Sequence, residues 1–326
     1  MPSTFRTWLQ LFRAPNLFTV PGDPLAGYIL TALPGLAAGA TIQPGDSLGS
    51  YLQAIFGTFE PAIFHAVGAS VCFYAAGLLD NDLADLAEDR AERPNRPLPS
   101  GAANPRTVRA VAGLLIVAGF FLAGKLGATA LIVAASVVIA VGAYNHLTKH
   151  LPVLGALNMG VCRGLSVLLG ASAAPHGDLL WRLLAAGRLQ PLLIAIALVT
   201  LFIAAVTHLA RFETKAQSPL LAKWLPAFVL LGGSALFLTQ VRTFTYWSTA
   251  AVFAVAVLGA VAVAIHLTRD ATAPVPPFIG QLIRLLLLLQ TAFCAAAGTI
   301  ESSLCAALLL LAWPVSRVVS KRFYAS

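Results

Sequence analysis

The chain has 326 residues, of which 58% are hydrophobic and only 10% charged, with a mean hydropathy of +0.82. A soluble domain carries about a quarter charged residues, so this composition excludes an ordinary water-soluble globule and predicts an all-α integral membrane protein. The net charge of +8 does not point to nucleic acid, because most Lys and Arg residues fall in short loops, where they set membrane orientation.

Ten apolar segments follow one another, at roughly 16–33, 61–80, 106–123, 126–144, 153–173, 189–209, 219–240, 246–267, 278–297 and 301–318. Each is about as long as a helix crossing ~30 Å of hydrocarbon. The last two are joined only by Gly298 to Ile300, so the count is nine to ten. Charge tests it. Of the 21 Lys and Arg residues, fifteen fall on one side of the alternating segments. Only Lys125, Arg182, Arg188 and Arg242 fall on the other, while Arg163 and Arg284 lie within segments. This bias puts both termini in the cytoplasm of a bacterial membrane protein and favours ten spans, since nine would export the basic tail RVVSKRF. The 34–60 loop, free of Lys and Arg, reads as external. No cleavable signal peptide is evident.

Segment 1 carries Pro15, Pro21 and Pro24 around Asp23, which predicts a kinked or broken helix near its cytoplasmic end. Such a break is tolerated at membrane depth where it lines a cavity. Cys72, Cys162, Cys294 and Cys305 have no metal-ligand spacing and form no disulfide framework.

Segment 2 ends in the densest charge of the chain. Of 13 Asp and Glu residues, five (Asp80, Asp82, Asp85, Glu88 and Asp89) fall within ten residues. Clustered like charges repel unless cations sit among them. An acidic run is ordinarily a solvated loop balancing nearby arginines, but the scarcity of acids elsewhere and the fixed spacing weigh against that here. On a continuing helix, Asp82, Asp85 and Asp89 share one face, and Asn81, Asp85 and Asp89 align as well. These are hard oxygen donors of the kind Mg²⁺ takes, together with the phosphates of a substrate. RPNRPLPSG, residues 93–101, follows and reads as an extended, rigid loop. Its Arg93 and Arg96 offer planar donors to phosphate oxygens.

The pattern NDxxDxxxD followed by RPxRPLPSG resembles the first signature of the UbiA superfamily of intramembrane prenyltransferases. Tyr144 and Lys149, in YNHLTK, are similar to that family's tyrosine-and-lysine element. Asn158, Arg163 and Gly164, in NMGVCRGLSVLLG, resemble its Asn and Arg-Gly block. The likeness covers about residues 10–215. It implies a helical bundle around a central cavity and a prenyl diphosphate donor held through Mg²⁺. It also implies transfer to an acceptor, often aromatic, which these residues do not identify. In those terms Asn81, Asp82, Asp85 and Asp89 would bind the metal, and Asp82, Asp85, Asp89, Lys149 and Arg163 would serve catalysis. Arg93, Arg96, Tyr144, Asn158, Arg211 and Glu213 would bind substrate.

One departure stands out. The family's second acidic motif, of DxxxD type, is represented only by THLARFETK, residues 207–215. It has the single acid Glu213 beside His208, Arg211 and Lys215. Glu213 would bind a metal alone, or Arg211 and Lys215 would replace one as counter-charges to phosphate. This reduced motif is similar to the EboC-like branch of the superfamily. Alternatives left open are phosphoribosyl transfer to a polyprenyl phosphate, a non-catalytic binder of prenyl diphosphates, and a carrier. Arg163, in mid-segment, faces either a cavity or a buried acid. Lys149 is placed either to act or to snorkel, and Asp23 reads as structural.

Overall fold

The computed structural model describes residues 4–36, 61–174, 187, 189–213, 218–241, 245–270 and 272–323. Most of the 34–60 loop, and Arg182, Arg188, Lys215 and Arg242, lie outside these. Among the described residues every regular element is helical. They are α1 (Thr4–Leu11), α2 (Ala14–Leu17), α3 (Gly22–Leu36), α4 (Pro61–Ala84), α5 (Leu86–Glu92), α6 (Pro105–Gly124) and α7 (Ala128–Ala143). After a π-helix (Tyr144–Thr148) come α8 (Leu154–Ala171), α9 (Gln190–Ala210), α10 (Leu220–Leu238), α11 (Tyr246–Arg269), α12 (Val275–Ala295) and α13 (Ile300–Phe323). Nine of these stretches are long and apolar enough to cross a membrane. The fifteen described residues of α3 make the tenth apolar helix.

Sequence neighbours pack in pairs, α4 on α6, α8 on α9 and α12 on α13, while α3 wedges between α8 and α12. Lipid tails are as apolar as leucine, so backbone proximity, not hydrophobicity alone, must hold membrane helices together. Glycine supplies it here. A Cβ on Gly27 would lie 1.8 Å from the Val167 carbonyl oxygen, and one on Gly170 would lie 1.9 Å from that of Pro24. Elsewhere large side chains fill the core. The rings of Phe237, Phe253 and Phe293 meet at centroid distances of 5.0–5.7 Å between α10, α11 and α12. By contrast α6 shows Leu114, Val117 and Phe121 outward, a face suited to lipid.

Segment 1 is broken where its prolines predict. Asp23 N–H reaches back only to the Val20 carbonyl, at 3.4 Å, so the Thr19 carbonyl is released from the helical ladder. Arg163 Nη2 and Gln290 Nε2 both donate to it, each at 2.8 Å. Arg163 Nε lies 2.8 Å from Asp23 Oδ2, close but off the angle of a hydrogen bond, so the attraction there is chiefly coulombic. Gln290 also donates to Asp23 Oδ1 at 2.6 Å. The mid-segment arginine therefore has a buried acid as its partner, and one cluster ties the broken helix to α8 and α12.

Candidate active site

α4 carries the acidic run to the end of the bundle. Helical hydrogen bonds persist through it, from Asp85 N to Asn81 O at 2.9 Å, Asp89 N to Asp85 O at 2.8 Å and Arg93 N to Asp89 O at 2.9 Å. The axis nevertheless turns at Asp85, whose φ of −86° and ψ of 0° separate α4 from α5. This turn interrupts the single straight acidic face expected from spacing, and the acids take different nearest partners. Asn81 donates to Asp85 Oδ2 at 3.1 Å, and Lys149 pairs with the other oxygen of Asp85. Asp82 turns to Arg13, at 3.1 Å. Asp89 is buried and takes Arg96 on both oxygens, at 2.8 and 3.0 Å. Each of these carboxylates thus has a nearest cation, which offsets part of their repulsion, although Asp82 still feels both Asp89 and Arg96.

The 93–101 stretch is not extended, which corrects another expectation. It winds into successive turns, with Ser100 N bonded to Arg96 O at 3.0 Å and Gly101 in the left-handed region at φ 77°. The driving force is burial of Leu98 among Leu11, Leu79 and Val108, which pulls the loop back onto the bundle. That compact form brings Arg93 to 3.6 Å from Glu213, so the first motif and the reduced second motif meet at one end of the bundle.

The π-helix aims the next group. Lys149 N bonds to Tyr144 O, one residue farther than in an α-helix, at 3.1 Å. Residues five apart stand about 140° apart on an α-helix. The wider turn reduces that angle, and Tyr144, Asn145 and Lys149 all line one cavity. Asp80 anchors this turn from α4. It accepts from Asn145 Nδ2 at 2.7 Å and meets His146 Nε2 at 3.0 Å. The roles of Asp80 and Asn145 were not read from sequence, although both adjoin residues that were.

The cavity has a volume of about 870 Å³. Its mouth is polar, with Arg13, Asn16, Asn81, Asp85, Arg93, Arg96, Lys149 and Glu213. Much of the remaining lining is apolar, with Phe73, Val137, Val141, Met159, Leu169, Ile279 and Ile283. Within its lining the buried hydroxyls of Ser70 and Ser166 meet at 2.6 Å. Five cations line it (Arg13, Arg93, Arg96, Lys149 and Arg163) against the acids Asp85 and Glu213. Of the residues expected here, Asp82, Asp89, Asn158 and Arg211 do not line it. Asn158 instead donates to Thr148 Oγ1 at 3.0 Å, tying α8 to the π-helix. Arg13, which does line it, had counted only towards membrane orientation.

The donor set suits Mg²⁺ in kind. Asn81 and Asp85 present hard oxygens at the mouth, with Asp82 and Asp89 one turn or less away in sequence. Among the described residues no three His, Cys, Asp or Glu side chains converge into a ready-made metal cage. An ion would enter by exchanging with Lys149, Arg13 or Arg96.

The helical bundle thus encloses a cavity lined by charged side chains and by apolar ones. The chain matches the UbiA prenyltransferase family over residues 28–274 and belongs to it. It is 33% identical over 125 residues to digeranylgeranylglyceryl phosphate synthase of Haloquadratum walsbyi, covering 38% of this chain and 44% of that protein. It is 27% identical over 172 residues to the synthase of the same name from Methanosarcina barkeri, covering 53% and 56%. The matched stretches span about half the length of these curated relatives. Among solved structures, a UbiA homologue from Aeropyrum pernix superposes with a TM-score of 0.62 at 18% identity, covering 85% of this chain and 96% of the other. One from Archaeoglobus fulgidus, bound to DMAPP and Mg²⁺, gives 0.53 at 12%, covering 95% and 99%. At such identities these structures share the fold.

Proposed function

We propose that this chain transfers a prenyl group from a prenyl diphosphate to an acceptor within the membrane, in a reaction that depends on Mg²⁺. The observation that carries this reading is the pairing of Asn81, Asp85 and Lys149 at the charged mouth of a deep apolar cavity. The apolar depth takes the prenyl tail out of water, and the mouth takes the diphosphate. Asn81 and Asp85 would hold the metal first, with Asp82 and Asp89 joining as they release Arg13 and Arg96. When bound, the ion neutralises charge that develops on the departing diphosphate.

The remaining work belongs to side chains. Lys149, freed from Asp85, and Arg93 and Arg96 donate to phosphate oxygens. The bond from the first prenyl carbon to the diphosphate oxygen breaks, and the electron pair leaves with the diphosphate. A new bond forms from that carbon to the acceptor, which loses its proton. The dry wall of Phe73, Val137 and Val141 keeps water from capturing the allylic cation instead. Arg163, already paired with Asp23, shapes the wall and supports the broken helix. Arg93 meets Glu213, so the reduced second motif acts as an orienting partner for a phosphate-binding arginine. The basic bias of the loops supports a mouth and both termini on the cytoplasmic side.

The names of the relatives make an isoprenoid glyceryl phosphate the first acceptor to assay. Purified protein is incubated with labelled geranyl, farnesyl and geranylgeranyl diphosphates, that acceptor and a membrane extract, with and without Mg²⁺. A Mg²⁺-dependent labelled product is expected, and Asp85→Ala should abolish it while the protein stays folded. Undiminished turnover in Asp85→Ala would reject this site. Tight Mg²⁺-dependent binding of the diphosphates without any product would favour the non-catalytic binder, a reading that the single acid of the second motif supports.

A further inference from the structure

Arg13 is the only non-glycine residue with a positive φ among the described residues, at φ 44° and ψ 57°. It ends α1 and opens α2. Its N–H bonds to Gln10 O at 3.0 Å, and its carbonyl accepts from Asn16 N at 2.8 Å. Glycine is the usual occupant of such a left-handed helix stop, with asparagine next, because any larger side chain crowds its own backbone. An arginine there is strained, and strain of this kind persists where something else requires the side chain.

Its contacts show what that could be. Its guanidinium lines the cavity mouth, with Leu9, Gln10, Pro15 and Asn16 beside it. Its partner is Asp82, at 3.1 Å, and the arginine side chain is 40% exposed. The Asp82 side chain is only 14% exposed and needs a cation, but that cation could stand on unstrained backbone, so the pair alone does not account for an arginine at this turn. A planar cation held at the rim of an anion-binding mouth is a better reason.

We propose that Arg13 is a ligand of the donor diphosphate, presented by the strained turn between α1 and α2. This rests on the function proposed above and adds a residue to it. In the free protein Arg13 neutralises Asp82. As Asp82 turns to the metal that accompanies the donor, Arg13 turns to the diphosphate oxygens. The strained stop fixes where the guanidinium stands, so lysine is a poor replacement, and the turn itself needs no arginine.

The test separates strain from charge. Arg13→Gly and Arg13→Asn suit the left-handed backbone and delete the cation, whereas Arg13→Lys keeps the charge and the strain. Melting temperature in detergent and Mg²⁺-dependent binding of inorganic pyrophosphate are measured for each, alongside the KM for the prenyl diphosphate. Arg13→Gly and Arg13→Asn are expected to stay folded, relief of the strained backbone offsetting part of the loss of Asp82's partner. Their pyrophosphate affinity should fall about 10- to 100-fold, the usual loss of a charge-assisted hydrogen bond. Arg13→Lys should retain part of the affinity. Wild-type affinity in Arg13→Gly and Arg13→Asn would overturn the role of Arg13 and leave the site reading intact. A wild-type protein that binds no pyrophosphate with Mg²⁺ would overturn both.

Discussion

Removing Asp23 should cost this protein more than removing any carboxylate at the cavity mouth. Asp23 is fully buried, and the Arg163 side chain is only 8% exposed. Taking one partner from a buried ion pair strands the other charge in low dielectric, at about 3–5 kcal/mol. Gln290 would lose its 2.6 Å acceptor as well, adding about 1 kcal/mol. Asp23→Leu alone is therefore expected to destabilise by about 4–6 kcal/mol, and Arg163→Met alone by a comparable amount. The double variant leaves no stranded charge, so it should lose less than the sum of the singles by about 2–3 kcal/mol, the upper range of contacting pairs. Reversible unfolding in mixed micelles, run on all four proteins, measures that coupling. Additive losses would refute the argument, since they would mean that Asp23 and Arg163 hold the broken helix independently. A single variant as stable as the wild type would refute it more directly.

Further predictions concern position, depth and metal. Asp80→Ala removes the anchor of the π-helix without touching the cavity, so it should raise the KM for the prenyl diphosphate severalfold while leaving the melting temperature nearly unchanged; equal kinetics would show that the turn holds itself. Ser166→Phe fills part of the cavity between α4 and α8, and should reduce use of geranylgeranyl diphosphate far more than of geranyl diphosphate in a competition assay. An equal loss for both donors would place the tail elsewhere. Gly170→Leu forces a side chain into the Pro24 backbone, where even a Cβ would come to 1.9 Å. It should prevent α3 from docking on α8, read as loss of folded protein on size-exclusion chromatography. Chelation by EDTA should abolish product formation without lowering the melting temperature, because the carboxylates then keep their own cations.

Much of the architecture was legible because lipid imposes length and polarity on each span. The break in segment 1 was legible because proline removes a donor wherever it stands, at Pro21 and Pro24 as elsewhere. The site was only partly so. Spacing placed Asp82, Asp85 and Asp89 on one face because it assumed a straight axis, and the turn at Asp85 depends on tertiary contacts that spacing does not contain. The 93–101 loop reads as extended from its prolines, yet burial of Leu98 folds it into turns. Arg163 was ambiguous between cavity and buried acid, and both hold: it lines the cavity and pairs with Asp23. Neither contact is encoded locally, because each depends on packing that brings residue 163 beside residues far away in sequence. Arg13 carries no sequence signal of its own, because membrane orientation alone accounts for a basic residue at that position.

If the mouth takes a metal and a diphosphate as proposed, the pairing of Asp82, Asp85 and Asp89 with Arg13, Lys149 and Arg96 would make it a coincidence detector. A divalent ion arriving by itself would claim the carboxylates and orphan three cations. An anionic head arriving by itself would claim the cations and orphan three carboxylates. Only the two together leave every charge with a partner, so each should bind weakly without the other. On the proposed function, free magnesium alone or a simple phosphate alone would bind weakly, and a molecule that brings both signs at once would bind well.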